Sequence, residues 1–259
     1  MKVGLFILLA AMLIAIVSPV QADTAAYPTR PAEPAGRALP DVTSPQGLSN
    51  ALQWLVLVTV LSLVPAVIVM VTSFTRIVVV LGLLRQALAT PQLPPNQILF
   101  ALAMFVTLVV MAPIYTKVHS EAIKPYLDGQ VSAKQALNAG EVHVREFMIR
   151  QMEAGQNEKD VYLFVDDKLS AGGELTWSQV PTLSLIPAFV LSELKIAFTM
   201  GFRIFLPFVI IDMLVSSVLI SMGMLMVPPV LISLPFKLLL FVLADGWHLV
   251  VGTLVRSFG

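Results

Sequence analysis

Four long apolar runs dominate the chain, at Leu52–Val71, Ile98–Ile114, Pro187–Ile211 and Val230–Leu254. The first two contain no Asp, Glu, Lys or Arg. Each has the roughly 17–25 residues a spanning helix needs, so both predict ordinary membrane helices. The third run instead carries Glu193, Lys195 and Arg203, and the fourth carries Lys237 and Asp245. A charge at the bilayer centre costs about 2.5–3.5 kcal/mol, so the third run loses about 8–10 kcal/mol to its three charges. Its 14 Ile, Leu, Val and Phe residues return about 0.3–0.6 kcal/mol each, or about 4–8 kcal/mol together. That run is marginal as a lone lipid-facing helix. Its charges must pair inside a protein assembly, or the segment must leave the lipid.

With Asp212, the two charged runs hold three acids (Glu193, Asp212, Asp245) and three bases (Lys195, Arg203, Lys237). The balance predicts pairing, and one chain has little interior for six charges, so many of the pairs are expected between copies. No charged residue lies between Asp212 and Lys237, and the turn joining the runs carries Met222, Met224 and Met226 at alternate positions. An uncharged turn between membrane-length segments belongs inside protein or around a restricted passage. Methionine makes such a lining soft and deformable. Ala197 and Gly201, and Ser217 and Ser221, are spaced for close helix approach. Pro207, Pro228, Pro229 and Pro235 predict a bent hairpin.

The N-terminus has the pattern of a cleavable signal. Lys2 gives the positive region, Val3–Val17 the apolar core and Val20-Gln21-Ala22 a small-residue site, so residues 1–22 are expected to be removed. Residues 23–50 are rich in Pro, Ala and polar residues and read as a disordered leader. Residues 51–116 are expected to hold the first two apolar helices, 117–184 a periplasmic helical domain, and 185–259 the charged hairpin. The loop Thr72–Gln97 contributes Arg76 and Arg85 without an acid, whereas Lys117–Ser184 has seven Lys or Arg against ten Asp or Glu. The positive-inside rule then puts the first loop in the cytoplasm, the second in the periplasm, and the hairpin tip toward the cytoplasm. Within 117–184, Ser132-Ala-Lys-Gln135 resembles a capping box, followed by Val144, Phe147, Met148 and Met152 at helical spacing. Asn157 is placed to cap a further helix carrying Val161, Phe164 and Val165, and VYLFV is equally compatible with a strand. So small an apolar complement predicts packing on neighbouring subunits.

Composition agrees. The chain is 57% hydrophobic and 12% charged, with a mean hydropathy of +0.87 and zero net charge. A membrane protein follows, and nucleic acid is not an expected partner. There is no cysteine. His119, His143 and His248 lie far apart, without spacings that ligate metal from one helix face. No G-x-S-x-G elbow or Walker-A loop is present, so no catalytic residue, metal or cofactor is expected and the chain is read as a non-enzyme. A secondary transporter subunit would share the intramembrane charges and broken helices, although four spans without an inverted repeat are few. A plain membrane anchor would need neither the six charges nor the methionine turn.

The blocks SFTRIVVVLGLLRQALATPQLPPNQILFALAMFVTLVVMAPI (Ser73–Ile114) and LIPAFVLSELKIAFTMGFRIFLPFVIIDMLVSSVLISMGMLMVPPVLISLPFKLLLFVLADGWHLVVG (Leu185–Gly252) closely resemble the FliP family of type III export-apparatus proteins. The resemblance runs from Gln53 to Phe258 and is weakest in the polar segment. It implies an all-α, membrane-associated subunit of an export gate in the bacterial inner membrane and flagellar basal body. About five copies would wind with FliQ and FliR into a helical assembly, largely on the periplasmic side, that passes unfolded flagellar proteins. The LPFKLLLFVLADGW run favours the flagellar branch over the equivalent gate of a virulence secretion system. The family's methionine gasket falls on Met224, Leu225 and Met226, with Met222 beside it. Leu225 replaces the middle methionine, which keeps the ring apolar and less flexible. The resemblance also selects Glu193 and Lys237 for a salt bridge between neighbouring subunits, with Lys195, Arg203, Asp212 and Asp245 as further buried charges.

Overall fold

The computed structural model describes residues 45–90, 93–166, 175–224 and 226–259. The expected signal and most of the expected leader lie outside these residues, as does Leu225. Every described element is helical: α1 Pro45–Met70, α2 Phe74–Ala87, α3 Asn96–Val118, α4 Lys124–Leu127, α5 Ala133–Ala154, α6 Thr182–Ser221, α7 Pro229–Leu243 and α8 Gly246–Arg256. A π-helical turn, His119–Ile123, joins α3 to α4, and short 3-10 turns occupy Glu158–Leu163 and Trp177–Gln179. Two compact units divide at residue 58: residues 45–58 begin α1, and Thr59–Gly259 contains everything else described.

Among the described residues, three helical runs are long and apolar enough to cross a membrane, Leu52–Met70, Asn96–Leu127 and Thr182–Ser221. They contain the second and third predicted runs whole and the first as far as Met70. At 40 residues α6 is about 60 Å long, twice the roughly 30 Å of a hydrocarbon core. The fourth run is not one helix. It divides into α7 and α8 with a bend of 62°. The bend falls at Asp245, whose φ of 49° is left-handed, rather than at a proline. Pro187 and Pro207 lie within a helix assigned as continuous.

The loop expected at Thr72–Gln97 is mostly helix. Phe74, Ile77, Val80, Leu81 and Leu84 recur at three- and four-residue spacing and are buried on one face of α2. They pack with Leu99, Ala103 and Val106 of α3, Ala197 and Phe208 of α6, Phe241 of α7, and Val250 and Leu254 of α8. At 14 residues α2 is too short to span a bilayer, and it forms the centre of the main core.

Gly201 shows how tightly α2 and α6 meet. A Cβ there would lie 2.2 Å from Leu83 Cδ1 and 3.1 Å from Leu83 Cβ. The Ala197/Gly201 face is therefore spent on a contact inside the chain. Gly201→Val is expected to destabilise the chain by about 1–3 kcal/mol through overpacking. Thermal unfolding of the detergent-solubilised chain checks this, and an unchanged midpoint would contradict the contact.

A second core forms around the polar segment. Ser132 and Gln135 make the capping box at the start of α5: Ser132 N–H donates to Gln135 Oε1 at 2.9 Å, and Gln135 N–H donates to Ser132 Oγ at 3.4 Å. Phe147, Met148 and Met152 of α5 are buried against Met111 and Ile114 of α3, Leu185, Ala188 and Phe189 of α6, and Val161 and Val165. The VYLFV segment is helical rather than extended over Val161–Leu163. Asn157 makes no cap; its Nδ2 donates to buried Ser192 Oγ at 3.0 Å. Neighbouring copies were expected to supply this core, yet α3 and α6 of the same chain do so.

Candidate functional site

The site consists of two ion-pair clusters, one along α6 and one in the hairpin, and of the turn at the hairpin tip. The first cluster centres on Arg76, which α2 projects into the core with 1% of its surface exposed. Arg76 Nε donates to Glu193 Oε2 at 2.8 Å, and Nη2 donates to Glu193 Oε1 at 2.5 Å. This is the bidentate fork that suits guanidinium to carboxylate. Nη2 also donates to Gln151 Oε1 at 3.0 Å, while Nη1 donates to the Ser257 carbonyl at 2.9 Å and Ser257 Oγ at 3.1 Å. Five bonds match the five guanidinium donors. The Phe258 ring lies 3.9 Å from the guanidinium carbon, and Gln151 Nε2 donates to the Phe258 carbonyl at 3.2 Å. One side chain thus ties α2, α5, α6 and the C-terminal residues together.

The second cluster joins the hairpin arms. Lys237 Nζ of α7 donates to Asp212 Oδ2 of α6 at 2.6 Å, and Ser233 Oγ donates to Asp212 Oδ1 at 2.5 Å. The Lys237 side chain is 4% exposed and that of Asp212 32%. Ser233 and Lys237 are four residues apart on one face of α7, which lets both reach a single carboxylate.

The turn is shaped by Gly223. Its φ of 75° is left-handed, a region open to glycine without cost. Met224 N–H donates to the Leu219 carbonyl at 2.9 Å and Gly223 N–H to that of Ile220 at 3.0 Å, the paired bonds that end a helix in a Schellman motif. This ends α6 and projects the methionines outward. Met222, Met224 and Met226 are 67%, 41% and 97% exposed. The arms behind them are also uncovered, with Met213, Leu214, Val218, Leu231 and Phe236 all more than half exposed. So continuous an apolar surface requires a lipid or protein cover.

Residues 57–254 match the FliP family model. The chain belongs to the FliP family. It is 46% identical over 217 residues to the flagellar biosynthetic protein FliP of Bacillus subtilis, covering 83% of this chain and 96% of that one. It is also 50% identical over 214 residues to the protein of that name from Pectobacterium carotovorum, covering 82% and 81%. With the Aquifex aeolicus protein it shares 45% identity over 211 residues, covering 82% and 87%.

Against this FliP-family background, the expected charges divide into two groups. Glu193 and Lys237 were selected to meet each other, but the folded chain gives each another partner, Arg76 and Asp212 respectively. Both are enclosed, so a Glu193–Lys237 bridge between copies requires these intrachain pairs to open or share. Lys195, Arg203 and Asp245 are exposed and make no ion pair among the described residues. Arg76, Gln151 and Ser257 were missed. Under the positive-inside rule Arg76 reads as a loop charge, although the three- and four-residue spacing of Phe74, Ile77, Val80, Leu81 and Leu84 signals a helix, and the buried side of that helix takes Arg76 as well. His143 Nε2 lies 2.9 Å from Glu121 Oε2, and no group of three metal-ligating side chains occurs among the described residues.

Proposed function

We propose that this FliP-family chain is a pore-forming subunit of the flagellar type III protein export gate in the bacterial inner membrane. On this reading several copies, about five, assemble with FliQ and FliR, largely on the periplasmic side. Unfolded flagellar proteins then pass a constriction formed by the hairpin turns. The observation carrying this reading is the outward display of Met222, Met224 and Met226 in the uncharged turn of an uncovered hairpin. The flagellar branch is favoured by relatives that are themselves flagellar biosynthetic proteins.

The chemistry fits the task. Chains of any sequence must slide through while ions are held back, and a deformable apolar ring can yield to the first and dewet against the second. Leu225 keeps such a ring apolar. The length of α6 and its embedded charges suit a helix that ends largely against protein rather than lipid. The Glu193–Lys237 bridge belongs to this proposal as an exchange of partners, formed when copies meet and Arg76 and Asp212 share their counter-charges.

Single cysteines test the constriction cleanly because the chain has none of its own. Met224→Cys and Met226→Cys, each in the full export complex, should give disulfide-linked chains under mild oxidation. Cysteines at both positions that stay unlinked, in particles shown to hold several copies, would remove these residues from the pore lining.

A further inference from the structure

A cleft of about 700 Å³ runs between α6 and α8. From α6 it is lined by Lys195, Thr199 and Arg203, which repeat every fourth residue and so share a face, and from α8 by Arg256. Arg76 also reaches the cleft, but its donors are taken. No Asp or Glu lines the cleft. Lys195 and Arg203 have no ion-pair partner among the described residues, and the bond described for Arg256 Nε goes to the Gly252 carbonyl of its own helix. Apolar walls surround these cations, including Ile196, Met200 and Leu249. If the cleft is covered in an assembly, its charges must be neutralised by something carried in with the cover.

The chain carries a matching surface elsewhere. Asp245 sits at the 62° bend between α7 and α8, exposed, with no ion pair described for its carboxylate. Val242 and Leu243, separated from it by Ala244, are 73% and 76% exposed. The bend therefore presents two bare apolar side chains and one free carboxylate on a corner. We propose that this corner of one copy docks into the cationic cleft of the next, Asp245 neutralising Lys195 and Arg203 while Val242 and Leu243 cover the apolar walls. A cleft of this volume lies within the range that accepts a small ligand, and so admits three side chains. Asp245 is absent from the residues lining the cleft of its own chain. The two surfaces are different patches of one molecule, so the contact is heterologous and propagates from copy to copy. It rests on the proposal that the chain works as an oligomer.

The test uses two differently tagged full-length chains expressed together, one with Ala244→Cys and the other with Thr199→Cys. Oxidation should give a product carrying both tags, and particle mass is measured in parallel. Adding Asp245→Arg to the first chain should lower that product about tenfold or more, since like charges across an interface cost several kcal/mol. Adding Arg203→Asp to the second should restore it. Multi-copy particles with no doubly tagged product, or with one indifferent to Asp245→Arg, overturn the contact and leave the oligomer standing. Failure of any multi-copy particle to form overturns both. Loss of the product when phosphatidylcholine nanodiscs are replaced by phosphatidylglycerol ones gives the cleft to a net-anionic lipid headgroup and also overturns the contact.

Discussion

Arg76→Ala should destabilise the full-length chain by about 3–5 kcal/mol, the cost of leaving a buried carboxylate without its partner. Glu193 is fully enclosed, and the variant would strip it of both of the bonds described to its side chain. Gln151 would lose one bond, and the Ser257 carbonyl and hydroxyl one each. Arg76→Lys should recover little, because an ammonium supplies three donors without the planar fork and cannot reach Glu193, Gln151 and Ser257 at once. The double variant Arg76→Met with Glu193→Leu should recover much more than either single change, since exchanging a whole buried pair for packed apolar groups is often neutral. Unfolding of detergent-solubilised protein measures all five variants. An Arg76→Lys chain as stable as the parent would show that the five-bond network contributes little.

The same cluster shows where sequence reading reaches and where it stops. Runs long enough to span are legible because a solvent of fixed thickness imposes their length, and α1, α3 and α6 contain the first three runs expected from hydropathy, Val71 apart. The capping box at Ser132 was legible because it is a local contact. Helix α2 was not, because its 14 residues fall below span length and its arginine resembles a loop charge under the positive-inside rule. Arg76 and Glu193 are 117 residues apart, so only the folded chain reveals their pairing. Counting Arg76 with the six charges of the hairpin gives four bases against three acids. With Arg76 taking Glu193 and Lys237 taking Asp212, Lys195 and Arg203 are left against Asp245 alone. The bend at Asp245 is not legible for a related reason: the break is made by a left-handed aspartate, which no proline marks.

Lys237→Glu is expected to open the hairpin, because it sets a carboxylate against Asp212 in place of an ion pair at 2.6 Å. The damage should reach about 3–5 kcal/mol, with Lys237 almost wholly buried. Two second changes separate the possible partners. Asp212→Lys restores opposite charges across the arms of one chain and should return most of the lost stability, read as resistance of the hairpin to protease. Glu193→Lys should not, even if Glu193 and Lys237 meet between copies, because it turns a cation toward Arg76 while leaving Asp212 facing the new carboxylate. A simple Glu193–Lys237 charge swap therefore cannot report the bridge between copies, since each residue is already answerable to a second partner. If Glu193→Lys rescues Lys237→Glu and Asp212→Lys does not, the intrachain pairs are not those of the working protein, and the bridge between copies takes their place.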